Sequence, residues 1–128
     1  MDKEQRVEVI FNEAEDLYKE AMERLKERKV RDATKKAWAS TIKATSALIL
    51  ARTGREIDGF KPLAMAFREL IKKDKEVKER LKNRFFTQQH FLSWCCIDID
   101  SSIDSRKQVE TKIKETIEYI KEVRRLAK

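Results

Sequence analysis

The chain has 128 residues, 41% of them charged and 41% hydrophobic, with two glycines, one proline and a formal net charge of +7 at pH 7. That length suits one domain with a buried core and is too short to expect two. Lys/Glu blocks alternating with Ala, Leu, Ile and Val, and so little Gly and Pro, point to an all-α protein of long solvated helices. No window approaches the run of uncharged apolar residues that a membrane span needs, and Met1-Asp2-Lys3-Glu4-Gln5-Arg6 is not the start of a signal peptide. The expectation is a cytoplasmic protein with no membrane contact, and its charge-heavy surface resembles that of proteins from hot-living microbes.

Taken in order, Val7, Ile10/Phe11, Ala14, Leu17/Tyr18, Ala21 and Leu25 recur three and four apart, which predicts one amphipathic helix over Asp2–Arg28. Val30, with Asp32 as a cap, suggests a tight reversal into a second helix ending at Thr53, where Gly54 serves as its C-cap. The second helix is rich in small residues (Ala33, Ala37, Ala39, Ser40, Thr41, Ala44, Thr45, Ser46, Ala47, Ala51), which allow close packing against the first as an antiparallel hairpin, and Trp38 reads as core. After a loop bracketed by Gly54 and Gly59, Pro62 marks the start of a short helix through Leu63, Ala66, Phe67, Leu70 and Ile71. Asp74 then breaks or caps the chain before a fourth helix from Lys75 to about Cys96. Ile97–Ser102 is a polar connection, Ser101/Asp104 and Ser105/Gln108 have capping-box spacing, and a last helix runs to about Ala127 through Val109, Ile113, Ile117, Ile120 and Val123. The architecture expected is an antiparallel up-and-down bundle of four long helices and one short one.

The fourth helix has two apolar sides. Val77, Leu81, Phe85, Gln88, Leu92 and Cys95 share one face, and Asn83, Phe86, Thr87, His90, Trp94 and Ile97 share the opposite one. A helix apolar on both sides is either central in its bundle or shared with a partner chain, and the second reading puts Phe86, Trp94 and Ile97 at a homodimer interface. His90, the chain's one histidine, is flanked at i±4 by Phe86 and Trp94, neighbours on a helix surface.

The positive charge is local. Residues 2–29 hold nine acids and seven bases, whereas Val30–Arg55 holds six bases against Asp32 alone. Arg31, Lys35, Lys36 and Lys43 are therefore candidates, with Asn83, for binding a nucleotide, nucleic acid or acidic partner.

Several chemistries are excluded. Adjacent Cys95-Cys96 and a single histidine cannot form a zinc site. Asp98, Asp100 and Asp104 mimic a calcium loop, but Gly is missing at its sixth place and Val109 stands at its twelfth. No Gly-flanked nucleophile and no Gly-rich phosphate loop occurs. No metal and no cofactor is expected.

Arg84 and His90, with five residues between them on a late helix of a small α-bundle, resemble the Arg-x4–6-His signature of the HEPN superfamily (higher eukaryote and prokaryote nucleotide-binding domains). Ala33-Thr34-Lys35-Lys36-Ala37-Trp38-Ala39-Ser40 through Ala51-Arg52-Thr53-Gly54 is similar to the Lys-Ala-Trp-Ala helix ending in Gly of the archaeal PaREP proteins, a HEPN-like group. The segment after Pro62 and the helix-borne His90 followed by Trp94 fit the same group, so the resemblance covers roughly residues 10 to 125. The chain departs from nuclease members by carrying Phe85 directly after the arginine, where they commonly have a polar residue, and by placing Asn83 before it.

The resemblance implies metal-independent ribonuclease activity of toxin–antitoxin or defence type. The His90 imidazole would take the 2′-hydroxyl proton and the Arg84 guanidinium would hold the charge developing on phosphorus, leaving a cyclic phosphate. It also implies a homodimer in which two motifs face each other, and a nucleotidyltransferase or antitoxin partner. Other readings are a non-enzymatic nucleotide- or protein-binding module and a dimeric scaffold. Six residues along a helix set Arg84 and His90 about 120° apart and about 9 Å along the axis. A working pair therefore needs the reach of Arg84 or a second chain.

Overall fold

The computed structural model describes residues 1–93 and 103–128, which form five helices: α1 (Lys3–Lys26), α2 (Val30–Thr53), α3 (Phe60–Lys73), α4 (Lys75–Ser93) and α5 (Ile103–Leu126). Trp94, Cys95, Cys96, Ile97, Ser101 and most of the calcium-like segment lie outside the described residues. Ser105 falls inside α5 rather than at its cap.

Cross-helix contacts give the directions of the helices. Glu13–Lys43 and Glu20–Lys36 run α1 against α2, and Thr41–Gln88 with Arg52–Glu76 run α2 against α4. Gln88–Thr116 and Arg80–Glu122 run α4 against α5. Thr45–Tyr119 and Arg52–Leu126 keep one sequence offset, so α2 and α5 are parallel. The long helices thus alternate up and down, with α2 and α5 as the inner diagonal and α1 and α4 outside it. The α1–α2 pair is the most extensive, and α2 packs on every other helix.

Small side chains explain that centrality. Ala14 and Ala21 of α1 and Ala33, Ala37, Ala44 and Ala47 of α2 are fully buried, so the two backbones approach closely enough for the Ser40 hydroxyl to donate to the Ala14 carbonyl at 2.6 Å. Tilted ring contacts of Trp38 with Phe60 and Phe85 and of Phe67 with Phe85, and an edge-on contact of Phe67 with Phe86, tie α3 to α2 and α4. Trp38 is half-buried between the two halves of the core. At one end, Arg52 ties three elements by reaching Asp74 at 3.2 Å, Glu76 at 3.1 Å and the Leu126 carbonyl at 3.1 Å.

The helix ends follow local chemistry. Asp2 and Gln5 form a capping box on α1, worth about 1 kcal/mol. Asp74 both ends α3 and accepts from Val77 N at 3.1 Å to cap α4. Gly54 takes the left-handed φ of 77° after α2. Asp32 does not cap α2: it sits in the first turn, and the capping position falls on Lys29, whose side chain makes no cap bond.

The turn between α1 and α2 departs from the rule. Arg28 is the described non-glycine residue with positive φ, at 62°. Its N–H donates to the Leu25 carbonyl at 3.0 Å and the Lys29 N–H to the Arg24 carbonyl at 2.9 Å, the two bonds of a Schellman motif. Glycine holds that position without strain, so arginine there gives up roughly 1 kcal/mol.

Candidate functional site

The face of α4 that turns toward α5 starts from a buried amide. Val77, Leu81, Phe85, Gln88 and Leu92 line its core side, the stripe expected from spacing, and Gln88 is the polar member, 4% exposed. Its Nε2 donates to Thr116 Oγ1 at 3.0 Å and to Thr41 Oγ1 at 3.3 Å. Both threonine hydroxyls spend their own protons on carbonyls one turn back, those of Ala37 and Lys112. The amide orientation is therefore fixed, with Oε1 left as an acceptor that takes no bond among the described residues. Beside it, Thr45 donates to the Thr41 carbonyl at 2.8 Å, which makes Tyr119 the donor in the 2.7 Å Tyr119–Thr45 bond. Burial pushes the Tyr119 phenol well above its usual range.

Gln88 and Tyr119 form part of the lining of a cleft of about 450 Å³ between α4 and α5, whose rim carries Asn83, Arg84, Thr87, Lys112, Glu115 and Glu118. Arg84 and Asn83 are exposed there. The acids nearest Arg84 in sequence are engaged elsewhere: Glu76 with Arg52 and Glu79 with Lys75. No carboxylate lies within ion-pair distance of Arg84 among the described residues, although its charge reaches Glu122. That carboxyl is held below the usual range first by the hydrogen bond from Arg125, then by the charges of Arg125, Arg84 and Arg80. Lys112 is held by Glu115 at 2.9 Å and lies 5.6 Å from the Phe91 ring centre.

His90 is exposed on the last described turn of α4 but does not line this cleft. Its ring meets the edge of Phe91, with centroids 5.1 Å apart, while Phe86 turns inward onto Phe67 and Phe85. One chain therefore brings Arg84 together with Asn83 and not with His90.

The basic residues of α2 do not converge either. Lys36 and Lys43 pair with Glu20 and Glu13 of α1 at 3.4 and 3.0 Å, and Lys35 is exposed without an ion pair among the described residues. Arg31 lies in a separate cleft with Arg28 and Arg106. Sequence reasoning missed the α5 wall of the first cleft and both companions of Arg31. Thr41, Thr45 and Thr116 hinted at a polar seam by their helical spacing, but three arginines from a turn and a distant helix leave no local signal.

No described helix is long and apolar enough to cross a membrane. The chain matches no family model, no curated protein and no solved structure.

Proposed function

We propose that this is a nucleic-acid-associated helical protein whose α4–α5 cleft receives the sugar-phosphate backbone of RNA, with Arg84 holding a phosphate. One observation carries the reading: Arg84 stands exposed, and without an ion pair among the described residues, on the wall of a cleft that it shares with Asn83 and the open acceptor of Gln88. A guanidinium in that state offers its planar fork to a phosphate, and Asn83, Thr87 and Gln88 supply the mixed donors and acceptors that ribose hydroxyls require. The net charge of +7 favours the encounter.

The HEPN-like, PaREP-like reading of the sequence agrees with an all-α bundle carrying Arg84 and His90 on a late helix. Under it the protein is cytoplasmic, archaeal and homodimeric, with a nucleotidyltransferase or antitoxin partner. Ribonuclease activity is the second reading, favoured by the exposure of His90 on the same helix as Arg84. Because the two do not share a cleft in one chain, catalysis calls for a second copy that brings its own Arg84 and His90 to this one. Without that pairing the protein is a binding module.

The test is RNA binding by fluorescence anisotropy, with cleavage of a mixed RNA pool assayed in EDTA so that contaminating metal nucleases are silent. Arg84→Ala is expected to weaken binding by about tenfold, the loss of one charge-assisted contact. Unchanged affinity in a folded Arg84→Ala protein removes RNA from this cleft. Cyclic-phosphate ends made by wild type and lost in His90→Ala support the nuclease. If wild type makes none, the binding module stands alone.

A further inference from the structure

A second cleft is formed where α1 turns into α2 and α5 begins. It measures about 520 Å³ and is lined by Leu25, Arg28, Val30, Arg31, Arg106 and Glu110. We infer that it binds a dianionic phosphomonoester, such as the terminal phosphate of a nucleotide or of an RNA end, through Arg28, Arg31 and Arg106.

Three observations converge. First, none of these arginines is engaged by a carboxylate among the described residues. Arg6, Arg24, Arg52, Arg55, Arg80, Arg124 and Arg125 all have carboxylate partners, whereas Arg28, Arg31 and Arg106 have none within ion-pair distance among the described residues. Even at the turn itself, Glu27 is taken by Arg24 and Lys29. Second, three guanidiniums share the cleft with the single carboxylate of Glu110, an excess of two positive charges. A phosphodiester supplies one negative charge. A phosphomonoester near neutral pH supplies nearly two and presents three acceptor oxygens to guanidinium forks. Third, Arg28 occupies a left-handed position, φ 62°, where glycine is the strain-free residue. Strain kept in place of the easy choice is the pattern of a residue held for its side chain.

The other two lining residues, Leu25 and Val30, are half-buried and apolar, and the volume exceeds what a phosphate group fills. They give a surface for a sugar or base behind the phosphate. The site does not depend on the α4–α5 cleft, which has different residues.

Calorimetric titration compares adenosine with its 5′-monophosphate, and a short oligoribonucleotide carrying a 5′-hydroxyl with the same oligonucleotide carrying a 5′-phosphate. Wild type is expected to prefer each phosphorylated member by about tenfold or more. Arg31→Gln and Arg106→Gln should abolish the preference while the circular dichroism spectrum stays helical. Arg28→Gly should abolish it and at the same time raise the Tm by about 4 °C, a combination that simple loss of folding cannot produce. Arg68→Ala, an exposed arginine that lines neither cleft, should leave the preference intact. A mononucleotide that binds as tightly as the phosphorylated oligonucleotide identifies free nucleotide as the source, and tighter oligonucleotide binding identifies the RNA end. Equal binding of phosphorylated and unphosphorylated members by wild type overturns the assignment. So does a preference that survives both glutamine variants or disappears in Arg68→Ala.

Discussion

Tyr119 shows what one hydroxyl does in this interior. Its O–H donates to Thr45, and Thr45 still donates to the Thr41 carbonyl when the phenol is removed. Tyr119→Phe therefore leaves no buried donor stranded, and chemical denaturation at neutral pH should register a loss of about 1 kcal/mol. The larger effect appears in alkali. Because burial raises the folded-state pKa above the ordinary 10.0, the folded chain keeps its proton where the unfolded chain releases it. Stability then falls as pH rises beyond about 10, since the unfolded state binds fewer protons. Melting curves at stepped pH should show a steeper decline for wild type than for Tyr119→Phe. Tyr18, raised by burial and then by the charge of Glu118, leaves a shallower slope in the variant. A parallel decline in both proteins would mean that Tyr119 does not control the alkaline limb.

Among the elements, the two ends of α2 form a controlled pair. Gly54 at its C-terminus has φ 77°, and a Cβ built there meets nothing within 4 Å. The cost of Gly54→Ala, about 1 kcal/mol, is thus backbone strain alone, and urea denaturation should find it with an unchanged m-value. Reversal of sign between Gly54→Ala and Arg28→Gly is the expected outcome, and equal signs would refute the backbone account of both. The glycine end was legible in the sequence because glycine marks its own conformation. The arginine end was not, because nothing in Lys26–Val30 announces a left-handed residue, and Asp32 looked like a better cap than Lys29. Apolar spacing placed every long helix and put Gln88 on the core face of α4. It could not say that Gln88 would meet Thr41 and Thr116, or that Phe86 would turn toward Phe67, since those contacts depend on how helices meet rather than on how each repeats. The α4–α5 cleft was half visible, as Asn83 and Arg84. Its α5 wall, Lys112, Glu115, Glu118 and Tyr119, was read only as an ordinary amphipathic helix.

For the whole molecule, the exposed ion pairs count for little individually, about 0–1 kcal/mol each. They dispose of charge: seven of the described arginines and Lys36 and Lys43 are matched to acids, and of the five arginines without an ion pair among the described residues, four stand in two clefts built on different elements, Arg68 being the exception. The parallel diagonal of α2 and α5 sets a further property. With α2 in contact with every other helix, no outer helix can leave without uncovering it, and α2 itself cannot leave a remainder that is still packed. Local opening therefore offers its central amides no route to solvent. In native-state hydrogen exchange, Ala44–Ile49 should exchange only through complete unfolding, with a free energy equal to that from denaturant melts, while α3 exchanges at lower cost. Faster exchange in α2 than in α1 would contradict this order. A protein arranged in this way keeps its clock in the one helix that faces least water, so its slowest amides time the life of the entire fold.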